Sequence, residues 1–115
     1  MADGRMRRVD EAVREVLSDA IAKDLQDPRV GFVTVTGVKT SPDLRHARVF
    51  VSVLGDEQVR SDSLTGLRSA HGFLQGRVAA ELRLKHTPTL EFVYDDTTDR
   101  GQRIQELLDR EADAE

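Results

Sequence analysis

Residues 5–26 place Val9, Val13, Val16, Leu17, Ala20, Ile21 and Leu25 at three- and four-residue intervals. That spacing lines apolar side chains along one face of a helix. Pro28 disfavours helical geometry at Asp27, so the helix is expected to stop at Asp27-Pro28-Arg29. The period then shortens to two. Val33 and Val35 alternate with Thr34 and Thr36, and Val49, Val51 and Val53 alternate with Arg48, Phe50 and Ser52. Both runs predict half-buried strands. Ser41-Pro42-Asp43 supplies a turn between them, so the two strands are expected to form an antiparallel hairpin. Leu90 and Phe92, in TPTLEFVY, predict a third strand.

The segment between the second and third strands is less regular. GDEQVRSDS is polar and reads as a connection, with Ser61 or Asp62 placed to cap the next helix. From Leu64 to Leu84 the stripe Leu67, Leu74, Val78 and Leu82 predicts helix, but its phase breaks at Ala70-His71-Gly72. A glycine inside a helix costs about 1 kcal/mol relative to alanine, so Gly72 and Gly76 each need a reason. Gly76 is expected to pack closely on the sheet, and Gly72 to mark a kink between two helical pieces. Beyond the third strand, Ile104, Leu107 and Leu108 predict a short C-terminal helix, with Asp95, Asp96 and Asp99 as its expected caps. Residues 1–110 are expected to form one domain, and 111–115 a disordered polar tail. The order helix, strand, strand, broken helix, strand, helix implies an α+β fold: a three-stranded sheet with helices packed on one face. The other face is left partly available.

Composition narrows the chemistry. The 115 residues suit a single modest core, and none is a cysteine, which excludes disulfides and thiolate catalysis. No apolar run approaches the roughly 20 residues of a membrane-spanning helix, and the N-terminal stretch does not read as a secretory signal. A cytoplasmic protein without membrane attachment is expected. The net charge is −4, which taken alone disfavours a polyanionic partner. Its distribution reverses that impression: residues 88–115 hold nine acidic side chains against three basic ones, whereas 68–86 hold Arg68, Arg77, Arg83 and Lys85 against Glu81 alone. Such a local positive field is what nucleic-acid binding uses.

Catalytic and metal chemistry have little to stand on. His46, His71 and His86 include no pair at the i, i+4 spacing of a helical zinc site, and the isolated glycines of TVTGV and VLGDEQ match no phosphate-binding loop. Neither a metal nor a cofactor is expected, nor an enzymatic activity.

Three strings, DPRVGFVTVTGVKTSPDLRHARVFVSVLGD, SAHGFLQGRVAAELRLKHTPTLEFVYDD and GQRIQELL, together resemble the ribosome-binding factor A family of bacterial small-subunit assembly factors, over roughly Arg7 to Leu108. The resemblance implies a type II KH-like fold, α-β-β-α-kink-α-β plus a C-terminal helix. In it, an Ala-x-Gly interhelical kink, here Ala70-His71-Gly72, replaces the usual G-x-x-G loop. It further implies binding to the free 30S ribosomal subunit and its 16S rRNA during late maturation and rRNA processing, a part in cold adaptation, and release aided by an assembly GTPase. A monomer is expected. On charge position, Arg68, Arg77, Arg83 and Lys85 are the candidate phosphate contacts, with His71 at the kink. Arg5, Arg7 and Arg8 offer a second contact, and Lys39 and Arg45 flank the hairpin turn. Two other readings compete. A generic KH-like module for short single-stranded RNA is disfavoured by one Tyr, four Phe and no Trp, which leave little for base stacking. A protein-interaction domain would bind with little dependence on salt or on these cations.

Overall fold

Helix α1 spans Ala2–Asp19 and continues into one π-helical turn, Ala20–Asp24, in the computed structural model, which describes residues 2–96. The expected C-terminal helix, its cap Asp99 and the tail lie outside the described residues. The apolar stripe of α1 does what its spacing predicts: Val13, Leu17 and Ala20 are fully buried, with Val16 and Ile21 nearly so. The helical geometry ends at Asp24, one turn before Pro28, and Leu25 is already extended.

Strands β1 (Val33–Thr40) and β2 (His46–Val53) pair antiparallel, as expected of the hairpin. One irregularity lies between Val35 and Gly37, where the register shifts by a residue. This bulge resets the alternation, so that Val35 and Thr40 both face inward although their separation is odd. Strand β3 (Thr89–Tyr94) pairs parallel to β2, giving the order β1-β2-β3. A parallel pair needs a long crossover. Here helices α2 (Glu57–Ser69) and α3 (His71–Leu82) provide it.

All three helices cover one face of the sheet. Val49, Val51, Ala47, Leu90 and Phe92 meet Val13, Leu17, Leu67, Leu74 and Val78 in one continuous core. The opposite face shows Lys39, Arg48 and Glu91 in one row across the strands. The described elements thus follow the α-β-β-α-kink-α-β order.

Two local expectations fail. Helix α2 starts at Glu57, capped by Asp56, whose carboxylate accepts from the Val59 amide at 2.9 Å; Ser61 and Asp62 lie inside the helix. The polar string that reads as a connection is the solvent side of the first helical turns. Gly76 does not pack on the sheet, because it is exposed and a side chain there would meet nothing within 4 Å among the described residues. Among the described helices, the closely packed glycine is Gly66, where an added Cβ would stand 2.6 Å from a Val30 methyl and 3.4 Å from the Asp27 carboxyl carbon. Gly66 lets α2 lie directly against the turn that comes after α1.

Candidate nucleic-acid interface

The break between α2 and α3 is a single residue wide. Ala70 adopts φ −87° and ψ 11°, outside the helical well, while its amide is shared between the carbonyls of Gly66 at 3.0 Å and Leu67 at 3.1 Å. Its own carbonyl accepts from Leu74, 3.0 Å away, so the hydrogen-bond ladder resumes at once. Ala70 therefore absorbs the bend. Gly72 sits in the first turn of α3, and nothing among the described residues would touch a Cβ there within 4 Å. Its contribution is an uncovered backbone. No side chain caps α3 among the described residues, so its first turn, with half-buried His71 and exposed Gly72, carries the positive end of the helix dipole.

The cations expected to act as one patch are sorted by the fold into three settings. Arg68 is exposed, yet its guanidinium donates to the Phe92 carbonyl at 3.1 Å, which holds it over β3. Arg77 is already engaged: it contacts Asp24 at 2.5 Å and Glu81 at 3.3 Å, and lies over the Phe73 ring at 5.9 Å. The hydrogen bond it donates to Asp24 is the chief reason its pKa is raised, with Glu81 adding to it. Arg83 and Lys85 are exposed and make no ion pair among the described residues. Arg83 takes the left-handed conformation, φ 47°, and closes α3 through its amide to the Ala79 carbonyl at 3.2 Å.

The loop after Arg83 is drawn to the hairpin. Gln75 donates to the Pro88 carbonyl at 2.5 Å and accepts from the Leu90 amide at 3.2 Å, and the Thr89 amide donates to the Arg45 carbonyl at 2.8 Å. This brings Arg83, Lys85 and His86 to the end of the sheet that carries Arg45 and His46. The hairpin corner there is stiff. Asp43 accepts from the Ser41 hydroxyl at 2.6 Å and from the Arg45 amide at 3.0 Å, and the hydroxyl bond is the main reason its carboxyl titrates below the ordinary range. Lys39 and Arg48 stand side by side on the helix-free face, with Glu91 4.0 Å from Arg48, and line a groove of about 400 Å³ with His46 and Pro42. At the same end, Asp10 of α1 accepts from the Thr40 amide at 2.9 Å. Arg8, Arg7 and Arg5, all exposed, lie within about 8 Å further along that helix axis.

Lys39, Arg45, Arg83 and Lys85 are thus gathered at the hairpin end, whereas Arg68, Ala70, His71 and Gly72 form a separate kink group. Sequence reasoning misses two residues of this end, Arg48 and His46. The outward phase of Arg48 is visible in the strand alternation, but its neighbours are not. Phe73, 44% exposed in the first turn of α3, is also missed, because a helical phenylalanine reads as core.

No described helix is long and apolar enough to cross a membrane. A positively charged end, a polar corner and an uncapped helix start suit a phosphate backbone better than a small molecule.

Known proteins of similar sequence and fold point to one family. The family model for ribosome-binding factor A matches residues 5–108. A ribosome-binding factor A from Anaeromyxobacter sp. (strain K) is 56% identical over 109 residues, covering 94% of this chain and 78% of that protein. One from Geobacter metallireducens is 45% identical over 104 residues, covering 90% of this chain and 88% of that one. Among solved structures, the crystal structure of ribosome-binding factor A from Thermus thermophilus superposes with a TM-score of 0.69 at 27% identity, covering 77% of this chain and 94% of that one. A homology model of the Thermus thermophilus factor, fitted into a cryo-EM map of its complex with the 30S subunit, gives 0.64 at 28% identity, covering 75% and 90%.

Proposed function

The chain belongs to the ribosome-binding factor A family, and from that premise we propose that it binds the free 30S subunit by gripping 16S rRNA late in maturation. The observation that carries this reading is the Thr89–Arg45 backbone bond of 2.8 Å, which draws the loop that bears Arg83 and Lys85 to the end of the sheet where Arg45, His46, Lys39 and Arg48 lie. The mechanism is occupation rather than chemistry. Phosphates settle on the hairpin-end cations, while the open backbone at Gly72 and the amides starting α3 receive a second stretch of backbone near the kink. Arg5, Arg7 and Arg8 extend the first contact along α1. Few aromatic side chains are on offer, so RNA is selected by shape and phosphate spacing. Holding an immature RNA arrangement while neighbouring segments are processed, and protecting it when cold stabilises wrong pairings, are consequences of such a grip. Residues 1–110 act in this reading as one monomeric cytoplasmic domain without cofactor or enzymatic activity, and an assembly GTPase clears it from the particle.

Co-sedimentation with free 30S subunits across a salt series tests the proposal, comparing wild type with Arg45→Ala/Arg83→Ala/Lys85→Ala. Each lost phosphate contact removes about 0.7–0.9 from the slope of log K against log salt, so the triple variant is expected to flatten it by about 2–3. Binding by wild type that is insensitive to salt and to these substitutions overturns the RNA grip. Absence of wild-type binding at low salt overturns the function.

A further inference from the structure

The two ends of β2 are chemically unlike. The start carries the cations of the hairpin end; the finish, seven residues or roughly 23 Å away at about 3.3 Å per residue, is apolar and acidic. There Phe32 is 80% exposed and Leu54 75% exposed, and the Leu54 amide donates to the Phe32 carbonyl at 3.0 Å, so the two side chains leave adjacent backbone. They do not stand out because the chain is loose. Gly55 turns at φ +141°, with Val59 only 2.8 Å from where a Cβ would be, and Asp56 then caps α2 directly. On the other strand, the Gly31 amide is fixed by the buried Ser63 hydroxyl at 3.1 Å. A rigid frame therefore holds two large apolar side chains in water.

The surroundings favour protein over RNA as the occupant. Exposed Asp56 and Glu57 come immediately after Leu54 and Gly55, and Asp62 lies further along the same helix. The nearby cations are committed elsewhere: Arg29 pairs with Asp27 at 2.7 Å, and Arg60 lies over Tyr94 at 4.8 Å. A phosphate backbone would be repelled here and would leave Phe32 and Leu54 unburied. We infer that the Phe32–Leu54 tip docks a protein segment of the small subunit that presents an apolar side chain flanked by Lys or Arg. Apolar contact supplies the anchor, and Asp56 and Glu57 supply the charge complement. The factor then spans RNA at one end and protein at the other. This inference rests on the 30S reading above.

A photoreactive benzophenone amino acid at position 32, irradiated with the factor seated on free 30S subunits, tests it. The expected product is an adduct, resistant to ribonuclease, whose cross-linked peptide comes from a ribosomal protein and is rich in Lys and Arg. Phe32→Ser/Leu54→Ser is expected to weaken co-sedimentation at least tenfold with the salt slope unchanged and the melting temperature retained. Adducts to RNA alone, adducts to a second copy of this chain, or unweakened binding by the double variant overturn the inference while leaving the 30S reading intact. Failure of wild type to bind the subunit overturns both.

Discussion

The guanidinium of Arg77 meets the carboxylate of Asp24 at 2.5 Å across 53 residues of sequence. It fastens α3 to the turn that ends the first helix, and Glu81 takes a second edge of the same group at 3.3 Å. A cation that looks like a phosphate contact in the sequence is a tie between two helices in the fold.

Arg77→Ala is therefore expected to lower the melting temperature and to leave the salt slope of subunit binding close to wild type. Lys85→Ala should behave in the opposite way, reducing the slope by about 0.7–0.9 with no change in melting. Thermal unfolding and co-sedimentation of the two variants separate these roles.

The two glycines of α3, Gly72 and Gly76, should part company in the same assays. Alanine at either position meets open space among the described residues, so Gly72→Ala and Gly76→Ala are each expected to stabilise by up to about 1 kcal/mol. Only Gly72→Ala covers the backbone beside the kink. It should weaken 30S binding, with Gly76→Ala as the unaffected control.

Gly66→Ala should be costly. The new methyl would stand 2.6 Å from Val30 in a place where helix α2 and the preceding turn cannot both stay put. Overpacking of this kind costs about 1–3 kcal/mol, measurable by urea unfolding.

Acid should reveal the turn under Gly66. The side-chain hydrogen bond from Arg29, helped by the Arg29 amide, lowers the Asp27 pKa from 3.8 to about 2. A depressed carboxyl stabilises the fold fully above its unfolded value and loses that contribution as pH falls through the folded one. Asp27→Asn is thus expected to melt below wild type at neutral pH, with the gap closing between about pH 4 and about pH 2. A gap of constant size across that range would show that the charge plays no part.

The strands are legible in the sequence because alternation is local: Val49, Val51 and Val53 declare the buried face without any partner in view. The stripe of Leu67, Leu74 and Val78 likewise identifies a helix broken within Ala70-His71-Gly72, although the bend falls on Ala70 and not on the glycine. The start of α2 is not legible, since only Val59 in DEQVRSDS is apolar and a polar helical face looks like a loop. The bulge at Thr36 and the parallel pairing of β3 depend on long-range contacts that no window of sequence contains. Most of the cations at the two groups can be picked out from charge position. Their grouping is hidden, because it is made by the Thr89–Arg45, Thr40–Asp10 and Arg77–Asp24 contacts between distant segments.

The parallel placement of β3 beside β2 bears on how the chain comes to be folded at all. The β1–β2 hairpin closes over a short turn and is ready to pair as soon as Val53 has left the ribosome that is making it. Strand β3 finds its place only after α2 and α3 have been synthesised and laid back across the sheet. Until then α1, already made, can cover the inner face of the hairpin only in part through Val13 and Leu17, and the area that Leu67, Leu74 and Val78 bury stays in water. Docking of the crossover is the expected slow step of folding, so substitutions in α2 and α3 should retard refolding more than those in the hairpin turn.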